Sequence, residues 1–84
     1  MKQVMYLGPD IRGLVRKNQI FTYYPEDVIR RACEMNRLAR HLFVSMENIV
    51  QKKEELRREG SFLNLVYKKI EKEEEKHGRL QAWN

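Results

Sequence analysis

The chain has 84 residues, 42% of them apolar, 10% aromatic and 35% charged, with a formal net charge of +5 at pH 7. That length supports one small domain, which buries about 60 to 65% of the surface of its unfolded chain and leaves little room for a large substrate cleft. Its apolar content excludes a disordered chain, and a single cysteine, Cys33, with two histidines excludes an intrachain disulfide and gives too few soft ligands for structural zinc.

The opening MKQVMYLGPD carries one lysine before a short mixed run that breaks at Gly8-Pro9. It lacks the apolar stretch of a signal peptide, and no segment approaches the ~20 apolar residues of a membrane span. A soluble product of a reducing, intracellular compartment is expected, with no membrane partner. Within this opening, Lys2 to Leu7 alternates Val4 and Tyr6 with Gln3 and Met5 and stops at Gly8-Pro9-Asp10, which predicts a first strand. Ile11 to Tyr24 mixes β-branched and aromatic residues with Gly13 and a Lys17-Asn18 turn, which predicts two more strands at about 12–16 and 19–23, joined as a hairpin. Gly13 reads as a bulge or a close backbone approach.

Helical sequence begins at Pro25, which suits a first helical turn, and Glu26 and Asp27 place negative charge at the positive end of the helix dipole. Val28, Ala32, Met35, Ala39 and Leu42 recur on one face, with Ile29 and Leu38 widening the stripe. They predict a helix at roughly 25–41 that breaks near Asn36 or runs on. The short run Leu42-Phe43-Val44 ends at Ser45, a capping residue for a second helix at 46–59 with Met46, Ile49, Val50 and Leu56 inward and Gly60 as its left-handed end. Ser61 repeats the cap for a third helix at 62–77, carrying Phe62, Leu63, Val66, Tyr67 and Ile70. No apolar residue separates Ile70 from Leu80, so the charged run is a solvated helix end or a fraying tail. The expected fold is α+β, with a small N-terminal antiparallel β unit packed against three helices in one domain over 1–77 and a tail over 78–84.

Catalysis needs an acid, base or nucleophile held against a partner in a pocket. His41 sits beside the core stripe, His77 in the charged run, Cys33 inside a helical pattern, and Glu73-Glu74-Glu75 scatter around a helix. No catalytic residue, metal site, cofactor or small-molecule substrate is expected, and Gly8 and Gly13 lack the spacing of a phosphate-binding loop.

Charge is concentrated in the first half, where residues 1–44 hold eight Lys/Arg against four Asp/Glu, while residues 45–84 hold nine against eight. On the first helix, Glu26 with Arg30, Asp27 with Arg31 and Arg30 with Glu34 are spaced for mutual neutralisation. Arg12, Arg16, Lys17, Arg37 and Arg40 remain as a basic patch for an acidic partner or a nucleic-acid backbone, with Tyr6, Phe21, Tyr23 and Tyr24 nearby in sequence as stacking residues. Leu80 and Trp83, stranded beyond the charged run, either dock back on their own domain or form a candidate protein interface, since tryptophan is enriched where partners meet.

Several short segments, in order, carry a resemblance. They are Tyr6-Leu7-Gly8-Pro9, Ile11-Arg12-Gly13-Leu14-Val15-Arg16, Ile20-Phe21-Thr22, Leu42-Phe43-Val44-Ser45, and Gly60-Ser61 before Leu63 and Val66-Tyr67-Lys68-Lys69. From residue 4 to about 70 the chain resembles a group of small uncharacterised proteins of tailed bacteriophages and prophages encoded among head and tail morphogenesis genes. It departs from that group at Ser45, where a proline is common, and in the charged run after Ile70. The resemblance implies a non-catalytic accessory protein that works by protein–protein interaction, as a head, connector or head-fibre component, with other phage proteins or itself as partner. It also allows a small protein aimed at the host, and with the basic patch read above the alternative is a host-directed inhibitor or nucleic-acid-binding protein using Arg12, Arg16, Lys17, Arg37 and Arg40. The location implied is the bacterial host cytoplasm or the virion.

Overall fold

The computed structural model describes residues 3–82, with side chains through residue 75. Its architecture is the expected α+β arrangement. Strands β1 (Val4–Tyr6), β2 (Ile20–Phe21) and β3 (Phe43–Ser45) form an antiparallel sheet in the order β2-β1-β3, followed or separated by helices α1 (Glu26–Met35), α2 (Ile49–Arg57) and α3 (Phe62–Ala82). Two 3-10 turns, Arg37–Leu42 and Met46–Asn48, flank β3.

All three residues of β1 are buried, the mark of a strand covered on both faces, and it takes the centre of the sheet. Val4 lies opposite Phe21 and Ser45, Met5 opposite Ile20 and Val44, and Tyr6 opposite Phe43. Because side chains alternate along a strand, Tyr6, Phe43 and Phe21 share one face while Met5, Val44 and Ile20 share the other. The first face holds the main core. There Tyr6 and Phe21 meet Ala32 of α1, Ala39 and Leu42 of the first 3-10 turn, and Leu63, Val66 and Ile70 of α3. The second face is smaller, with Met5, Leu7 and Val44 under Met46, Ile49 and Leu56.

Three sequence expectations are corrected, and one left open is decided. Residues 12–16 form no strand and no hairpin with 19–23; instead Ile11 and Val15 close a tight turn through a single bridge, Ile11 N–H donating to Val15 O at 2.8 Å. Gly13 supplies a left-handed residue in that turn (φ 78°) with open space around it, so it is neither a bulge nor a close approach. The third strand is Phe43–Ser45, drawn from the run that separates the helices, because its aromatic and β-branched residues complete the sheet beside β1. Of the two courses open to the first helix it takes the break: it stops at Met35, Asn36 turns extended (φ −156°, ψ 116°), and its Oδ1 accepts from Leu38 N–H at 2.9 Å to start a separate 3-10 turn.

Other signals act as read. Ser45 Oγ accepts from Glu47 N–H at 3.3 Å and Ser61 Oγ from Asn64 N–H at 3.2 Å, each capping the helical turn that follows. Gly60 is left-handed (φ 84°) as expected, but it serves the turn in which Ser61 N–H donates to Arg58 O at 3.1 Å, since the second helix already ends at Arg57 with Arg58 extended. The third helix continues to Ala82 and does not close near 77.

Candidate interaction surface

Between β1 and β2 the chain makes a compact loop fastened by its own polar groups. The buried Tyr6 hydroxyl donates to Pro9 O at 2.8 Å, Asp10 Oδ1 accepts from Lys17 N–H at 2.6 Å, and Gln19 Oε1 accepts from Arg16 N–H at 3.0 Å. Across the molecule, Glu74 of α3 accepts from Arg12 N–H at 2.9 Å. Asp10, Arg12, Arg16, Gln19 and Glu74 are among the residues that line a cleft of about 770 Å³ between the loop and α3. One oxygen of each of its acceptor side chains, Asp10, Gln19 and Glu74, is committed to a backbone N–H of the loop, so these bonds hold the loop in shape.

The five basic residues sit on two segments, the loop between β1 and β2 and the 3-10 turn Arg37–Leu42. Lys17 places its ammonium 5.2 Å from the Tyr67 ring centre, a cation–π contact that turns it toward α3. Arg12 and Arg16 belong to the loop, while Arg37 and Arg40 stand exposed on the 3-10 turn, where a spacing of three superposes side chains. Between these groups lie two carboxylates. Glu74 binds the Arg12 backbone, and its neighbour Glu73 accepts from Asn36 Nδ2 at 3.1 Å, at the foot of the 3-10 turn. On α1 the three expected i,i+4 pairs give way to one i,i+3 pair, Arg30 with Asp27 at 2.6 Å, with both side chains largely in solvent and therefore of little energetic weight.

The expected stacking aromatics divide. Tyr6 and Phe21 are buried and face the core, Tyr6 against Phe43 at 4.8 Å between ring centres, so neither can meet a base. Tyr23 and Tyr24 are exposed, at 59% and 63%, as is Ile20, at 49%, close by in sequence on β2, and the Tyr23 ring meets Phe21 edge-on at 6.1 Å. A second exposed pair, Phe62 and Leu65, lies one turn apart on α3 with the His41 ring packed edge-on to Phe62 at 5.0 Å. Cys33 is half-buried, its Sγ 3.7 Å from Arg37 O. Of the proposed interface residues, Leu80 lies where only the backbone of α3 is described and Trp83 lies outside the described residues.

Among the described residues, no group of three or more His, Cys, Asp or Glu could hold a metal ion, and no helix is long and apolar enough to cross a membrane. No family model, curated protein or solved structure matches the chain.

Sequence reasoning named Tyr23 and Tyr24 as surface aromatics but missed Ile20 beside them because it placed Ile20 inside a hairpin. The available signal was the missing partner: once residues 12–16 form a turn, the strand at 20–21 is an edge.

Proposed function

We propose that this protein is a non-catalytic protein–protein interaction module, working as a virion or morphogenesis accessory protein of a tailed bacteriophage, as a head, connector or head-fibre component. The observation that carries the reading is the exposed Ile20, Tyr23 and Tyr24 stretch beside a sheet edge, since amphipathic aromatics and unpaired strand edges are the usual material of protein interfaces. The segment resemblance described above supplies the phage context. It implies the bacterial host cytoplasm or the virion as the place of action.

The experiment is cross-linking of the tagged chain in infected or induced cells, followed by sedimentation of assembly intermediates. The reading expects the chain to travel with heads, connectors or finished particles, and Tyr23→Ala with Tyr24→Ala to release it without unfolding it. A chain that remains in the low-mass fraction throughout infection overturns the reading.

A second reading, a nucleic-acid-binding or host-directed factor, draws on Arg37 and Arg40, which stand one 3-10 turn apart and exposed. Glu73 and Glu74 beside the basic groups weaken it, because they lower the local potential that a phosphate backbone would meet.

A further inference from the structure

One stripe of α3 faces the core and the loop. Leu63, Val66 and Ile70 enter the main core, and Tyr67 receives the Lys17 ammonium. Position 74 follows Tyr67 by seven residues and Ile70 by four, so it continues the same stripe, yet it carries a carboxylate where an apolar side chain would extend the core. Glu74 is half-buried there, and it is held by the Arg12 N–H at 2.9 Å.

The group that holds Glu74 is built to hold an anion. The Arg12 N–H belongs to the tight turn closed by Ile11 and Val15, in which Gly13 is left-handed, and among the described residues the neighbouring Gly13 N–H has no hydrogen-bond partner. Successive N–H groups in a turn that includes a left-handed residue make an anion-binding concavity. Arg12, Gly13 and Arg16 line the cleft together with Glu74, and a side chain at Gly13 would meet nothing within 4 Å. Guanidinium groups are the side chains best matched to phosphate. Asp10 is the other carboxylate of the cleft, with one oxygen tied to the Lys17 N–H. While Glu74 is in place, the formal charges of Asp10, Glu74, Arg12 and Arg16 cancel; once it leaves, the balance is positive.

We propose that the cleft between the loop and α3 is a binding site for phosphate groups, and that the Glu74 carboxylate is its autoinhibitory occupant. An incoming phosphate takes the Arg12 and Gly13 N–H groups and the charge of Arg12 and Arg16, and Glu74 turns out to water. Displacement leaves the core intact, because Ile70 is the last apolar anchor of α3 among the described side chains and Glu74 is tied to the loop by a hydrogen bond alone. The inference goes beyond the interaction-module reading and does not rest on it.

The test is titration of the full chain with inorganic phosphate at constant ionic strength against chloride, followed through the backbone amide resonances. The parent should respond weakly, with the Arg12 and Gly13 amides moving most. Glu74→Gln keeps an acceptor for the Arg12 N–H and removes the charge, so phosphate should bind roughly fivefold more tightly, the effect of one unit charge a few ångströms away in a watery cleft. Glu74→Ala should gain at least as much, and adding Arg16→Gln to Glu74→Gln should cancel the gain. Circular dichroism matched to the parent qualifies each variant, and Glu74→Gln, the milder change, carries the decision. A mixed-sequence oligonucleotide in place of phosphate distinguishes the source: tighter binding than inorganic phosphate identifies a nucleic-acid backbone, and equal or weaker binding a free phosphate group. Phosphate affinity that Glu74→Gln leaves unchanged makes Glu74 a loop clamp only and overturns the proposal. So do shifts spread over the surface without a maximum at Arg12 and Gly13. Co-sedimentation with phage particles is scored separately, so either reading can fail alone.

Discussion

The Tyr6 hydroxyl and the Pro9 carbonyl, 2.8 Å apart, join the middle of the sheet to the loop that leaves it. Tyr6 is fully buried, so the hydroxyl needs this acceptor, and Pro9, buried as well, needs this donor. Burial, and after it the neighbouring Tyr67, Asp10 and Glu74, push the phenol well above its ordinary value of 10.0. A phenol whose folded-state pKa is raised keeps its proton while the unfolded chain loses it. The stabilisation is therefore complete below about pH 10 and is lost as pH climbs beyond it. Urea midpoints from neutral to strongly alkaline pH should fall above that point. Tyr6→Phe should lose about 1 to 2 kcal/mol at neutral pH by stranding the Pro9 carbonyl, and its midpoint should fall less steeply in alkali.

Gly8 lies against the same ring. A Cβ there would stand 2.5 Å from Tyr6 Cζ and 2.8 Å from Leu42 Cδ1, both in the closed core. Gly8→Ala should destabilise the fold by about 2 to 3 kcal/mol, since two buried side chains would have to move. Gly13→Ala meets nothing within 4 Å and strains only its positive φ, so its cost should stay near 1 kcal/mol. Thermal or urea unfolding should rank the two variants in that order.

Asn36 does three things at one position: its backbone ends α1, its Oδ1 caps the 3-10 turn, and its Nδ2 reaches Glu73 on α3. Asn36→Ala should cost about 1 to 2 kcal/mol by removing a cap and a cross-molecule hydrogen bond. Asn36→Asp keeps the cap but turns a donor into a charge beside Glu73. It should be less stable than the parent at neutral pH and recover part of the difference in mild acid, where carboxylates gain protons, as denaturant midpoints at the two pH values would record.

Local signals were legible wherever the physics is local. Proline at 25 with acids at 26 and 27, serine caps at 45 and 61, and a left-handed glycine at 60 each depend on a few neighbouring residues, and the helices start and stop close to those marks. Pairing was not legible in the same way. Tyr6 finds Phe43 far along the chain, and Ile11 prefers Val15 within its own turn to a neighbour in a hairpin, choices that depend on burial in the finished core. The setting of the basic residues was not legible for a related reason: composition counts Arg12 and Arg37 alike but cannot see that α3 brings Glu73 and Glu74 beside the segments that carry them.

That placement makes the nucleic-acid reading testable by salt. A protein that neutralises several phosphates binds far less tightly as salt rises from about 50 to 200 mM, because each neutralised phosphate releases a counterion. With carboxylates close to the basic groups, binding of a mixed-sequence oligonucleotide should be weak at low salt and erased near physiological salt. Arg37→Glu with Arg40→Glu should remove what remains, lowering the salt slope by about one for each phosphate no longer neutralised. Glu74→Gln should act in the opposite direction, raising low-salt affinity by removing a negative charge beside Arg12. Fluorescence anisotropy across a salt series reads all three. Micromolar or tighter binding by the parent at physiological salt would instead favour the nucleic-acid reading over the protein-interaction one.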